Sequence, residues 1–488
     1  MTSEGAKRVG FPVIGTLAGC IANLLSQNQT FAVTDDYRLI SAAQNLRPFV
    51  IEGHARLEAS TGRVVPGFLF KLIWFAVNDI GDLWYVRLLG VGLVGLSVAT
   101  FLSWFVIKAG ITSKPSLGLL ALLGALTLLL PGVAATTTWA TKTAHLLALP
   151  LAMTGGLVAT KSKMTAVRWC LVVLLIFGSA FSYQHFALFA VLPVAIVAAL
   201  SSIDEETPRQ LKRPFIVMVI GGAAIAANFG VVWLMGDGVL NRISDRPLAN
   251  RFKELVDVLA KGALLYVDRS FLLVLMSFIV ASCVFIMTFK SAKKAWFLLF
   301  AIGTSVAGSV LLTFGADGES SFRMVLPTQL TIWLGLGTLG AYVMNVPSLG
   351  LVQGKLFVPL AFAGALIIAV ISTTGIIRND IALRNARDWT NTTCELKKIL
   401  DGDIPERISV RLRPIELSGT NAVRSEIGLT ASQIGWLFQD QWNLALRSES
   451  AGASLARVPI EFVDDDSVVL NSASYVIDLR TPCVDDAD

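Results

Sequence analysis

Phe11-Pro-Val-Ile-Gly-Thr-Leu-Ala-Gly-Cys-Ile-Ala-Asn-Leu-Leu25 is an uncharged apolar run, and Thr34-Asp35-Asp36-Tyr37-Arg38 follows it closely. The run reads as a first membrane helix, which sets both carboxylates at a membrane–water boundary. A charge near hydrocarbon costs about 2.5–3.5 kcal/mol on insertion scales. An acidic pair kept there is a candidate for chemistry. Its bland reading is a solvated cap at a helix end; its functional reading is a general base with a supporting carboxylate.

The rest of the chain agrees with a membrane setting. Apolar residues make up 54% of its 488 residues and charged residues only 15%, with a mean hydropathy of +0.66. A soluble domain carries about 25% charge. Basic residues sit in short clusters without interleaved aromatics, which speaks against a nucleic-acid partner. No CxxC and no His/Cys spacing suits zinc, so no structural metal is expected; no cofactor is implied, and a divalent metal with the acids as its ligands stays open as an alternative.

Apolar runs predict about eleven spans. They cover approximately 11–33, 84–107, 116–135, 143–160, 167–183, 185–200, 215–235, 271–289, 296–314, 324–345 and 356–377. Val64–Val77, shorter and interrupted by Lys71, reads as an interfacial or re-entrant helix. Lys7–Arg8 before the first run resembles a signal peptide, but Ser26-Gln-Asn-Gln-Thr30 is a poor cleavage site, so the helix is expected to be retained.

Lys7/Arg8, Lys108/Lys114, Lys161/Lys163/Arg168, Arg209/Lys212/Arg213 and Lys290/Lys293/Lys294 fall on alternate connections, whereas the short connections opposite carry only Lys142 and Arg323. The positive-inside rule then predicts a cytoplasmic N-terminus and an extracytoplasmic C-terminus. The expected division is a transmembrane module, 1–378, with outer loops 34–83, 236–270 and 315–323, followed by an extracytoplasmic domain, 379–488. Loop 236–270 carries Phe252, Leu255, Val256 and Leu259 at helical spacing and reads as an amphipathic surface helix.

The tail alternates apolar and polar residues at Ile408–Leu412, Pro459–Val463 and Tyr475–Leu479, which predicts short strands. Gln433–Arg447 looks helical, with Trp436 and Trp442 as core anchors or, if exposed, as sugar-stacking faces. A small soluble α+β unit is expected. Cys394 and Cys483 bracket it and have the means to pair if it is extracytoplasmic; Cys20, Cys170 and Cys283 lie in apolar runs and read as small hydrophobes.

Two Gly-x-Gly-x-x-Gly matches, Gly90–Gly95 and Gly335–Gly340, lie inside spans and read as helix close-packing positions rather than dinucleotide loops. Further candidates lie in the outer connections. Gly62–Arg63 follows the acidic pair, with His54 in the same loop. Asp317, Glu319 and Arg323 share one short loop, where a guanidinium suits either a lipid headgroup or a bound phosphate. Tyr183-Gln184-His185 puts three polar groups at the outer end of a span, and His145 is a weaker candidate.

Taken in order, the acidic pair, Gly62–Arg63, Tyr183–Gln184 and Ser320-Ser-Phe-Arg-Met-Val-Leu-Pro327 resemble the bacterial O-antigen-modifying glucosyltransferases. More broadly they resemble GT-C-fold glycosyltransferases, polytopic enzymes using lipid-phosphate-linked sugars. The resemblance covers roughly residues 10–345 and leaves the tail unmatched. It implies an all-α polytopic membrane fold in a bacterial inner membrane, with a polyprenyl-phosphate sugar as donor and a glycan acceptor outside. It implies Asp35 or Asp36 as general base, with Arg323, Arg63, Lys142 and His185 on the donor phosphate. Tyr183, Gln184, His54, Asp317 and Glu319 would then contact substrate. A membrane transporter or flippase is the rival reading; it predicts charged or broken helices at mid-membrane and internal repeats.

Overall fold

The computed structural model describes residues 3–29, 32–33, 36–37, 39–40, 48–74, 76–77, 79–200, 207–234, 322–345, 375–412, 435–448, 455, 457–463, 474–481 and 483. Its helices are α1 (Ser3–Ser26), α2 (Pro48–Ser60), α3 (Val64–Trp74), α4 (Leu83–Lys108), α5 (Lys114–Thr127) and α6 (Pro131–Thr138). Then come α7 (Ala148–Ala159), α8 (Ala166–Ser182), α9 (Val191–Leu200), α10 (Thr207–Leu234) and α11 (Phe322–Asn345). Two 3₁₀ segments, Ala140–Leu147 and Gln184–Ala190, lead into α7 and α9.

Among the described residues, three helices are long and apolar enough to cross a membrane: Glu4–Ser26, Leu83–Lys108 and Lys212–Leu234. A fourth span results if α5 and α6, bent by 43°, count as one. The eleven expected spans are thus met in part. Predicted spans 271–289 and 296–314, nearly all of 356–377 and the 236–270 helix lie outside the described residues. The predicted spans at 143–160 and 185–200 each begin with a 3₁₀ turn, so their apolar length overstates their α-helical length.

Apolar side chains stay exposed in stripes along these helices. Ile14, Leu17, Ile21 and Leu25 are each more than half exposed on α1, as are Trp233 and Leu234 on α10. A water-soluble bundle would bury such faces; a lipid-facing one leaves them out. Cys170 is exposed too, rather than packed inside.

Small residues set the helix contacts. A Cβ on Gly15 would meet the Ala121 backbone oxygen at 2.0 Å, and one on Gly19 the Ala125 oxygen at 2.3 Å, so α1 and α5 touch along their backbones. Gly95 packs on Cys20 and Gly337 on Leu123. Of the glycine matches in the spans, Gly90, Gly95 and Gly337 lie at close contacts, as packing requires, whereas Gly92 faces open space.

The chain direction gives the bundle two ends. The end of α4 and the start of α5 share one, where Asn345 accepts from the backbones of Thr112 and Ser113. Arg213 donates there to the carbonyls of Lys161 and Ser162. The opposite end holds the start of α4, segment 140–147 and the residues following α1.

A second apolar core lies at that opposite end. It joins Tyr37, Ile40, Phe70, Trp74 and Leu83 to Leu396, Ile408, Phe438, Trp442 and Ile477 of the C-terminal unit. That unit has helices α12 (Leu383–Asp401) and α13 (Gly435–Ser448) with strands β1 (Arg407–Arg411), β2 (Ile460–Val463) and β3 (Ser474–Asp478). The sheet is parallel, in the order β2-β1-β3. All three predicted strands and the predicted helix are present within a residue or two. Cys394 and Cys483 are joined by a disulfide. Trp442 is 1% exposed against Phe438, which removes it as a sugar-stacking face.

Candidate active site

The site begins with a helix stop. Gly62 adopts φ +83°, the left-handed conformation that a residue without Cβ enters without strain. Its N–H donates to the Ala59 carbonyl and the Arg63 N–H to the Glu58 carbonyl, the paired bonds of a Schellman cap. This turn folds Arg63 back over the end of its own helix. Arg63 Nη1 then lies 3.0 Å from Glu58 Oε2.

Glu58 is the hub of the arrangement. It is 4% exposed, with His145 Nε2 at 3.0 Å and Lys142 Nζ at 3.8 Å. Burial alone would push its carboxyl up, but His145, Lys142 and Arg63 together hold it well below the usual range. Arg63, in turn, is kept cationic by Glu58 against its own burial.

Aromatic faces hold the cations from behind. The Arg63 guanidinium lies 5.5 Å from the Tyr183 ring centroid, and Lys142 Nζ 4.7 Å from that of Trp139. Tyr183 stacks on His185 at 4.7 Å and meets His145 edge-on at 5.6 Å. Tyr183 sits where α8 ends, its extended backbone breaking the run into Gln184–Ala190. Gln184 donates to the Thr61 carbonyl and to Asn228 Oδ1, and Asn228 donates to the Gly62 carbonyl. The three-residue break thereby clamps the Gly62 turn. A narrow cavity, with room for roughly a single water, is lined by Arg63, Thr136, Lys142, His145, Tyr183 and Leu326 among others.

Asp36 occupies a neighbouring position. Its Oδ1 accepts from the Thr141 N–H at 3.0 Å and the Thr141 hydroxyl at 2.5 Å, its Oδ2 from the Val33 N–H at 3.2 Å. It is fully buried. Burial raises its carboxyl, partly offset by Arg87 and by the bonds from Thr141 and Val33. Asp36 is therefore not a solvated cap: its oxygens are engaged by the Val33 and Thr141 N–H groups and by the Thr141 hydroxyl. Asp35, Asp317 and Glu319 lie outside the described residues. His54 falls on α2, and Arg323 on the first turn of α11, one turn before Leu326 of the cavity wall.

Of the expected site residues, Arg63, Lys142, Tyr183, Gln184 and His185 are brought together. Glu58 was not anticipated, nor were Asn228 and Thr141, and His145 ranks higher than its sequence context suggests. No protein-family model and no curated protein matches the chain.

Proposed function

We propose that the chain is a GT-C-type glycosyltransferase that moves a sugar from a polyprenyl phosphate to a cell-envelope glycan on the extracytoplasmic face. The observation that carries this reading is the cavity where Arg63, Lys142 and His145 converge with Tyr183 behind them. Arg63 and Lys142, two buried cations at one point, suit an anion, and a phosphate offers them and the His145 ring several acceptor oxygens. The position supports the side: the cluster is at the end of the bundle opposite the lysine-rich turns. The Cys394–Cys483 disulfide in the unit packed on that end favours an oxidising compartment.

In this reading the lipid tail lies along the bundle and its phosphate sits at Arg63 and Lys142. The acceptor hydroxyl forms a bond to the anomeric carbon as the bond from that carbon to the phosphate oxygen breaks. The bonding pair leaves on the phosphate, where the cations stabilise the growing charge. The hydroxyl proton passes to a carboxylate of the first loop. Asp36 is sealed by Thr141, so the reading gives the proton to Asp35 and a positioning role to Asp36. Glucose, from the resemblance to the O-antigen-modifying enzymes, is the first sugar to try.

The test is transfer of radiolabelled sugar from a polyprenyl-phosphate donor by membranes containing the protein. Asp35→Asn is expected to abolish transfer at unchanged protein abundance and thermal stability. Unaltered transfer by Asp35→Asn and by the Asp35→Asn/Asp36→Asn double variant would reject the assignment. Movement of the intact lipid-linked sugar across the bilayer without bond cleavage would favour a flippase instead.

A further inference from the structure

The two ring nitrogens of His145 are in different situations. Nε2 lies 3.0 Å from Glu58 Oε2. Arg63 Nη1, 3.0 Å from the same oxygen, helps keep Glu58 ionised. An ionised carboxylate only accepts, so Nε2 carries the hydrogen of the bond to Glu58. A neutral imidazole has a single N–H, which leaves Nδ1 as an acceptor. Nδ1 is buried without a hydrogen-bond partner among the described residues, and His145 lines the cavity.

A phosphate oxygen cannot meet Nδ1 in that state, because two acceptors facing each other out of water leave both unsatisfied. Moving the ring hydrogen to Nδ1 would only shift the conflict to Nε2 and Glu58. Contact with a phosphate therefore needs one more proton on the pair. An imidazolium beside ionised Glu58 holds it, and so does a neutral ring beside protonated Glu58. The other titratable and charged groups around the ring come from several elements. They are Arg63 after α2, Lys142 of its own segment, and Tyr183 and His185 where α8 ends. α4, packed on the same segment, brings Arg87, which donates to the Thr138 carbonyl and lies near Asp36. α11 brings Arg323, one turn before Leu326.

Resting on the reading of this cavity as the donor-phosphate site, we propose that His145 is a catalytic residue: it takes up a proton as the donor phosphate enters and delivers it to that phosphate as the sugar departs. The proton comes from solvent. When the bond from the anomeric carbon to the phosphate oxygen breaks, the bonding pair stays on that oxygen. The Nδ1 proton then moves to it, which limits the charge that grows there. The lipid phosphate leaves with a single negative charge, and His145 is neutral again with its Nε2–H on Glu58. The hydroxyl proton of the acceptor goes separately to the carboxylate of the first loop. Glu58 is the positioning residue, because it fixes which nitrogen is left for the phosphate.

The experiment is calorimetric binding of ethyl farnesyl phosphate to the full-length protein, in two buffers of different ionisation enthalpy near neutral pH. A non-ionic detergent keeps competing phospholipid out, and the probe, a diester, takes up no proton itself. The wild type is expected to take up about one proton per probe bound. His145→Gln keeps an amide N–H for Glu58 but has no titrating nitrogen, so it should bind the probe with uptake near zero. In transfer from polyprenyl-phosphate glucose, the same variant should lose about a hundredfold in kcat, with a smaller change in KM. If His145→Gln does not fold, Glu58→Gln serves for the uptake: its amide donates to Nε2, Nδ1 carries the one ring hydrogen, and uptake should vanish. Binding without uptake by the wild type, uptake that survives in the folded variant, or an unchanged kcat in His145→Gln overturns the inference and leaves the phosphate reading standing. Failure of the folded wild type to bind the probe removes the phosphate reading itself.

Discussion

Thr141 donates both its backbone N–H and its hydroxyl to a single oxygen of Asp36. The next residue is Lys142, whose ammonium faces Glu58. One peptide unit therefore ties the acid of the first loop to a cation of the cavity, and the segment 140–147 is held at the point where α4 begins.

Asp36→Asn should act on stability as well as on turnover. The amide replaces an acceptor with a donor, facing either Val33 or Thr141, and leaves the buried Arg87 without the carboxylate near it. A loss of about 2–4 kcal/mol is expected. Thermal unfolding in detergent checks this; an Asp36→Asn protein as stable as the wild type would contradict a positioning role.

Gly62→Ala should damage the site through the backbone. A residue with a Cβ is strained by about 1–2 kcal/mol in the left-handed conformation. That Cβ would also stand 2.3 Å from Asn228 Oδ1, so the clamp made by Gln184 and Asn228 must shift. The expected outcome is a lower melting temperature together with weaker binding of a polyprenyl phosphate, measured at a temperature where the variant is folded. Normal binding would show that Arg63 does not depend on this turn.

How much of this was legible beforehand differs by element. The strands at 407–411, 460–463 and 474–478 are short alternating runs bounded by polar residues, and such runs declare themselves. The break at Tyr183-Gln184-His185 is equally plain, because three polar groups interrupt an apolar run. Glu58 was hidden for a physical reason: on its own helix it reads as a solvated acid, and it becomes buried only because the chain reverses at Gly62. The signal was present in Gly62 as a helix stop, since a Schellman turn returns the following residue to the helix end. Thr141 and Asn228 carry no local mark at all; their roles exist only through partners 105 and 166 residues away. Asp36 was found, but exposure is a tertiary property, and the packing of segment 140–147 decided it.

The C-terminal unit should depend on its disulfide. Cys394 and Cys483 are 89 residues apart and fasten the segment after β3 to α12. Cys394→Ser is expected to cost the unit about 2–4 kcal/mol. Hydrogen exchange should rise in residues 474–478 and stay unchanged in α4 and α8. Equal protection of 474–478 in the two proteins would show that the sheet pairing of β3 with β1 suffices.

Acid should loosen the cavity through Glu58. Its carboxyl lies well below the ordinary glutamate value of 4.5 in the folded protein. The stability it contributes is complete above that value and is lost as pH falls below it, because the unfolded chain takes up the proton first. Asp36, raised by burial, works in the opposite sense. The informative comparison is therefore between the wild type and Glu58→Gln: the variant should lose less stability between about pH 5 and pH 3.5. Parallel curves would mean that Glu58 is not held ionised by its neighbours.

The central claim is that the cations around Glu58 receive a lipid-borne phosphate, and its most direct test is a cryo-electron microscopy structure of the protein with a polyprenyl phosphate in nanodiscs. The phosphate is predicted within hydrogen-bonding distance of Arg63 and Lys142, with Tyr183 behind it. Density for the phosphate elsewhere on the bundle, with this cavity closed as it is in the free protein, would contradict the account.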